Sequence, residues 1–315
     1  MADEKWIAGL HGDMPLSAAA RLALKLRLGA VHDRLPAAVF QADADVENVH
    51  QLRVSTRRAA AALRIFADCL PTRVHEKTRK TLRTLRRSAG AARDWDVFLE
   101  QLHARLARAK TNERPGLYFL LGVAFAEREQ AQKWLHDAHD AKAEPFAECI
   151  AEIADHLDEA KPSDRTLRDL ADTILADLLR EIEEAARADL QSYEALHRVR
   201  ILGKQLRYAM EIFECCFASA FRQKYYPAVV EMQDILGLAN DSYNASQQLN
   251  GLRTRLSKAQ PKHWPRCQAG IEVLLEMHER RLPLQRKKFE KWWRAWMKSG
   301  AEQAFAELIQ KQAPP

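Results

Sequence analysis

The sequence predicts an all-α protein made of two homologous helical bundles, and three observations carry that expectation. Glycine and proline are scarce, 11 and 12 of 315 residues, while Ala, Leu, Arg, Glu and Gln, the best intrinsic helix formers, dominate. Apolar residues recur every three or four positions through nearly the whole chain. A long segment then repeats itself at a constant offset. With 47% hydrophobic residues, the chain is large enough to bury a full core.

The first helix is expected over residues 17–35, ending where "LPAAVFQAD" interrupts the pattern. The second, 43–69, stops at "LPTR", the third, 73–109, at "KTNERPG", and the fourth covers 115–138. A second set is expected at 145–158, 165–189, 195–218, 221–256 and 264–298, broken at "AKPSDR", near "YYP" and at "KAQPKHWP". This grouping places a first helical half at about 17–142 and a second at about 160–300, within one domain spanning 1–315.

Residues 49–70 align with 196–217, pairing His50 with His197, Arg53 with Arg200, Arg57 with Lys204, Phe66 with Phe213 and Cys69 with Cys216. The same offset of 147 goes on, without a gap, to pair Gly90 with Gly237, Asp94 with Asp241 and Leu102 with Leu249. One register holding across two helices favours an internal duplication over chance similarity of helical composition.

Five cysteines form no C-x-x-C pair, which points to neither a disulfide framework nor a zinc site and fits a reducing cytoplasm. The start "MADEKWIAGLHGDMPL" has no charged segment followed by an apolar one, and the longest apolar run, near "LYFLLGVAFA", is about half of a membrane span. No transmembrane segment and no export are expected.

Charge is segregated. The net +6 hides twelve basic against two acidic residues in 49–93, a balance of +10, and nine basic against nineteen acidic in 111–190, a balance of −10. Segregated charge attracts polyanions far more than the same charge spread evenly. At about 100° per residue, His50, Arg53, Arg57 and Arg64 share a face opposite Leu52, Ala59, Leu63 and Phe66. His197, Arg200, Lys204, Arg207 and Tyr208 repeat the design opposite Val199, Leu206, Met210 and Phe213. In the following helix Arg79, Arg83, Arg86 and Arg93 share a face, so two adjacent helices can present facing rows of guanidinium groups. Like charges at i, i+4 repel, and few acids are interleaved, so a ligand supplying negative charge accounts for the pattern better than a solvated face.

Four blocks, "VHQLRVSTRRAAAALRIF", "RRSAGAARDWDVFLEQL", "LHRVRILGKQLRYAMEIFE" and "MQDILGLANDSYNAS", in this order, resemble the CHAD domain, the conserved histidine α-helical domain. The resemblance implies two pseudo-symmetric antiparallel four-helix bundles that bind inorganic polyphosphate along a basic surface without catalytic turnover, in the cytoplasm at polyphosphate granules, with granule-associated proteins as further partners. It places His50, Arg53, Arg57 and Arg58 at the anion site, and His197, Arg200, Lys204, Arg207 and Tyr208 at its counterpart. Arg93 with Asp94 fills an "RD" position that reads Asn240 with Asp241 in the second half, and Glu211 stands where Arg64 stands in the first. Residues 196–240 carry six basic and four acidic residues, so the second half contributes less charge. The first helix begins near Ser17 with no E-x-E-x-K strand motif before it, so a stand-alone CHAD protein without a CYTH triphosphate domain is expected.

The ligand chemistry agrees with these residues. Arginine's planar fork makes bidentate contacts to phosphate oxygens and lysine adds a point charge. Nucleic acid is the weaker alternative, because the basic helices lack interleaved aromatics and show no recognition signature. A metal-dependent phosphohydrolase is weaker still: His50 and His197 are flanked by arginines rather than by a cluster of further metal donors, and no metal or cofactor is expected. Each histidine either donates to phosphate or fixes the helix pair. "HDAHD", residues 136–140, is read chiefly as a solvated face. Asp94 and Asp241 are expected to pair with arginines or to cap a turn after Gly90 and Gly237. The tail "RRLPLQRKKFEKWWRAWMKSG" is either a membrane- or partner-binding helix or, the favoured reading, packs on the second bundle.

Overall fold

A computed structural model describes residues 5–160 and 164–310; the middle of the "AKPSDR" break lies outside them. The described chain is all-α: α1 Leu16–Phe40, α2 Glu47–Ile65, α3 Thr72–Leu106, α4 Arg114–Glu159, α5 Leu167–Ala186, α6 Tyr193–Phe213, α7 Tyr226–Ala259, α8 Trp264–Lys298 and α9 Ala301–Gln310. Short connections make successive helices antiparallel. Pairs along α3 and α4 trace it directly: Lys77 with Glu152 (3.3 Å), Arg128 with Asp96 and Arg105 with Glu113 (both 2.5 Å).

Helices α1 to α4 close on themselves, α1 packing on both α2 and α4, α2 on α3, and α3 on α4. In the second half α5 packs on α6, α6 on α7 and α7 on α8, and α9 closes the circuit by touching both α8 and α5. The 3-10 turns Ala67–Cys69 and Glu214–Cys216 stand at the same 147-residue offset read from the sequence. One hydrophobic cluster runs through residues of both halves; a second, with Leu102, Leu117, Leu252 and Ile271, lies where the α3–α4 and α7–α8 hairpin ends meet.

Three expectations about elements are corrected. Helix α1 runs through Pro36 to Phe40, and α4 runs unbroken through Pro145 to Glu159, so residues 145–158 finish the first set of helices rather than opening the second. A proline inside a helix forfeits one hydrogen bond. Here Leu135, Ala138, Phe146, Cys149 and Ile153 stay buried at helical spacing across Pro145, and that continuous apolar face outweighs the loss. Helix α9 was not foreseen: a break at Gly300, with φ +66°, separates it from α8, and Phe305 stacks on Tyr225 at 4.5 Å. Gly90 and Gly237 lie inside α3 and α7, so there is no turn for Asp94 or Asp241 to cap.

Helices α4 and α8 join the halves through a close crossing. A β-carbon on Gly116 would lie 2.9 Å from the Gly270 α-carbon, and one on Gly270 would strike the Glu113 carbonyl oxygen. Gly270→Ala is therefore expected to force the helices apart and cost about 3 kcal/mol, read from the urea midpoint. An unchanged midpoint would show that the crossing yields freely.

Candidate functional site

The basic face of α2, the first half of α3 and the outer face of α6 enclose a cleft of about 690 Å³. Helix α2 supplies Arg53, Arg57 and Arg64; α3 supplies Arg79, Arg83, Arg86 and Arg87; α6 supplies Lys204 and Tyr208. The floor is apolar, with Ala60, Ala61, Leu63 and Leu82. Each basic side chain is aimed there because the opposite face of its helix is held in the core by Leu52 and Ala59 on α2, by Leu85, Ala89 and Ala92 on α3, and by Leu206, Met210 and Phe213 on α6.

No carboxylate lines the cleft. Two of its arginines are nonetheless neutralised from outside: Arg53 donates to Asp94 at 2.5 Å and to the Gly90 carbonyl at 3.2 Å, and Arg79 forks onto Glu76 at 2.9 and 2.6 Å. The pairing of Asp94 with an arginine agrees with one of the two readings of its role. Among the described residues, Arg57, Arg64, Arg83, Arg86, Arg87 and Lys204 have no carboxylate within ion-pair distance.

Burial and the neighbouring charges Arg57, Arg200 and Arg53 lower the Lys204 ammonium to about 6. In the empty cleft at neutral pH this lysine is mostly uncharged. Burial, with Arg53 and Arg200 nearby, also lowers Arg57. His50 and His197 are both held below the ordinary histidine value, each first by burial; Arg93, Arg53 and Arg57 add to this at His50, and Arg200 and Lys204 at His197. The cationic setting adds to this effect, but desolvation is the larger cause.

Eight of the fourteen expected site residues line the cleft; His50, Arg58, Arg93, His197, Arg200 and Arg207 do not. Arg58 is turned to the junction between the halves, where its Nε donates to Glu211 at 2.7 Å; Glu211 is only 1% exposed and also accepts from the Tyr226 hydroxyl at 2.8 Å. Arg207 faces the same carboxylate at 3.7 Å. Both arginines thus face a buried carboxylate at the junction rather than the cleft, away from the other residues expected at the anion site. Arg93 sits beside Glu100 at 3.6 Å. His197 faces the Tyr193 hydroxyl at 3.3 Å, which donates to Asn240 at 2.9 Å. Arg200 does not line the cleft; burial lowers its guanidinium, with Asp241 opposing the shift and Arg53 adding to it.

Arg87, His75 and Gln205 line the cleft but were not singled out. Arg87 follows Arg83 at i+4, a signal present in the sequence; His75 and Gln205 gain their place only from how α3 and α6 pack around α2. Among the described residues no three of His, Cys, Asp and Glu come together as a metal-ligand group. In "HDAHD", His136 and His139 pack edge-on against Phe40, at 4.9 and 5.1 Å between ring centres. The C-terminal tryptophans Trp292, Trp293 and Trp296 pack against the core, and Trp292 donates to Glu231 at 3.0 Å, as the favoured reading of the tail expected. No helix among the described residues is long and apolar enough to cross a membrane.

No curated protein matches the chain. Among solved structures, the CHAD domain from the plant Ricinus communis is similar at a TM-score of 0.74 and 24% identity, covering 92% of this chain and 96% of that one. PptA from Streptomyces chartreusis is similar at 0.67 and 18%, covering 89% and 99%. At these identities the likeness speaks for the fold. The CHAD domain family model matches residues 22–250, which contain α2, α3, α6 and every residue lining the cleft. The chain belongs to the CHAD domain family.

Proposed function

We propose that the protein binds inorganic polyphosphate in the α2–α3–α6 cleft and does not turn it over. The observation that carries this reading is the lining itself: seven arginines, one lysine and no carboxylate around an open channel. Membership of the CHAD family supports it. Polyphosphate is a flexible chain of anionic groups with nothing to stack, and guanidinium forks on two facing helices suit it. Association with polyphosphate granules follows from the same interaction.

The test is titration of the purified protein with long- and short-chain polyphosphate at several salt concentrations. If the cleft neutralises about five phosphates, affinity falls with a log–log slope of about −3.5, taking the single-strand value of about −0.7 per contact. Salt-independent binding would remove the electrostatic reading. Phosphate release by the protein alone would overturn the non-catalytic part.

Binding is expected to strengthen as pH falls from about 8 to 6. A polyanion beside Lys204 raises its proton affinity above the free value of about 6, so complex formation takes up a proton between the two values. The gain approaches tenfold per pH unit inside that window and vanishes below the free value. Lys204→Gln should flatten the profile; an equally steep one would assign the proton elsewhere, with His50 and His197 the next groups to examine. Folding runs the opposite way. The depressed Lys204 value opposes folding most below pH 6, and the penalty fades as pH rises toward the ordinary lysine value near 10.4. Lys204→Met should accordingly stabilise the empty protein while weakening polyphosphate binding.

A further inference from the structure

Cations also converge at one end of the molecule, away from the cleft, where the α3–α4 and α7–α8 hairpin ends come together. The α3–α4 end carries Arg108, Lys110 and Arg114, all exposed; its one carboxylate, Glu113, is buried and held by Arg105 at 2.5 Å. The α7–α8 end carries Arg253, Arg255, Lys258, Lys262 and Arg266, also exposed, and residues 251–270 contain no acid. Far apart in sequence, the two ends are joined by the Gly116–Gly270 crossing and by the cluster that Leu117, Leu252 and Leu256 share. Among the described residues none of these eight cations has a carboxylate partner. The second group lies beyond residues 22–250, outside the family match.

Two well-exposed rings distinguish this end from the cleft, where Tyr208 is half-buried. Tyr118 and Phe125 are 56% and 54% exposed, and they follow Arg114 at i+4 and i+11, which puts all three on one face of α4. His103 of α3 stands edge-on to Phe125, with ring centres 6.4 Å apart. Exposed Glu129, one turn beyond Phe125, marks the limit of the patch. A base-free polyanion uses such rings for nothing, whereas nucleic-acid bases stack on them while a basic groove tracks the backbone.

We propose that this end is a second binding site, for single-stranded nucleic acid, with phosphates on the hairpin cations and bases stacked on Tyr118 and Phe125. The site is separate from the cleft: none of these residues lines it.

The test measures fluorescence anisotropy of a labelled oligouridylate or oligodeoxythymidylate with the full chain at low salt, alongside polyphosphate binding. Replacing Tyr118 and Phe125 together with alanine is expected to weaken oligonucleotide binding at least about tenfold, with polyphosphate binding unchanged. Replacing both with tryptophan should keep oligonucleotide binding. The cleft variant Arg57→Glu/Arg83→Glu should lose polyphosphate and retain the oligonucleotide. The proposal is overturned if the wild-type protein does not bind the oligonucleotide, if binding survives loss of both rings, or if the cleft variant alone abolishes it. Should the alanine variant unfold, Arg253→Gln/Arg255→Gln gives an independent reading. A salt slope smaller by about 1.4 supports the site, and an unchanged slope with unchanged affinity overturns it. The polyphosphate arm reports the cleft and the oligonucleotide arm reports this end, so failure of one reading is distinguishable from failure of the other.

Discussion

Exchanging Arg57 and Arg83 together for glutamate is expected to lower polyphosphate affinity a hundredfold or more in a protein that still folds. Arg57 comes from α2 and Arg83 from α3, so the pair spans two walls of the cleft, and neither has a carboxylate partner whose loss would disturb the fold. A charge-assisted contact contributes about 1.5–3 kcal/mol, so loss of two corresponds to about 3–6 kcal/mol before any repulsion from the new carboxylates. Stability should hold or rise, because each glutamate lands among uncompensated cations. The measurement is isothermal titration with polyphosphate beside a thermal melt. Wild-type affinity in a folded variant would move the site elsewhere. Arg57→Lys with Arg83→Lys should fall between the two: the charge remains but the bidentate fork is lost.

Glu211→Ala is expected to cost the fold about 3 kcal/mol, because it leaves the partly buried Arg58 without its counter-ion at the α2–α6 junction. The Tyr226 hydroxyl, pushed upward by burial and by Glu211, would lose its acceptor in the same change. Urea unfolding reads the effect directly; a midpoint equal to wild type would show that the pair contributes nothing. The double variant Arg58→Met/Glu211→Leu should recover much of the loss, since a buried ion pair often does little better than well-packed apolar groups.

These two positions show what sequence reasoning reaches. Arg57 lines the cleft because the apolar stripe of α2 fixes where its basic stripe points. Arg58, one residue on, cannot be resolved in that way: it borders the stripe, and only the arrival of α6, with Glu211 at the matching height, decides its partner. Glu211 itself was seen as a charge subtracted from the second half, whereas it is an internal counter-ion. The register of 147 was legible because α2, α3, α6 and α7 carry it in side chains. The continuity of α4 was not, because Pro145 signals a break locally while the buried face from Leu135 to Ile153 is a tertiary property. Helix α9 was hidden in a short terminal stretch whose stability comes from Phe305 meeting Tyr225 and Trp296. The meeting of the two hairpin ends follows from two glycines touching, a contact that no single-helix pattern announces.

The uncompensated cleft has a consequence for how long the protein survives. When empty, its guanidinium groups repel one another and Lys204 gives up its proton to remain among them. An occupant that binds only the folded form adds about 2.7 kcal/mol at a free concentration a hundred times its Kd. Proteolysis that samples transiently opened molecules follows that free energy. If that occupant is polyphosphate, as proposed, copies formed when it is scarce would be degraded sooner than copies formed when it is plentiful. Cellular abundance would then track the polymer supply without a dedicated regulator, and a pulse-chase half-life measured in phosphate-starved and phosphate-fed cells would show it.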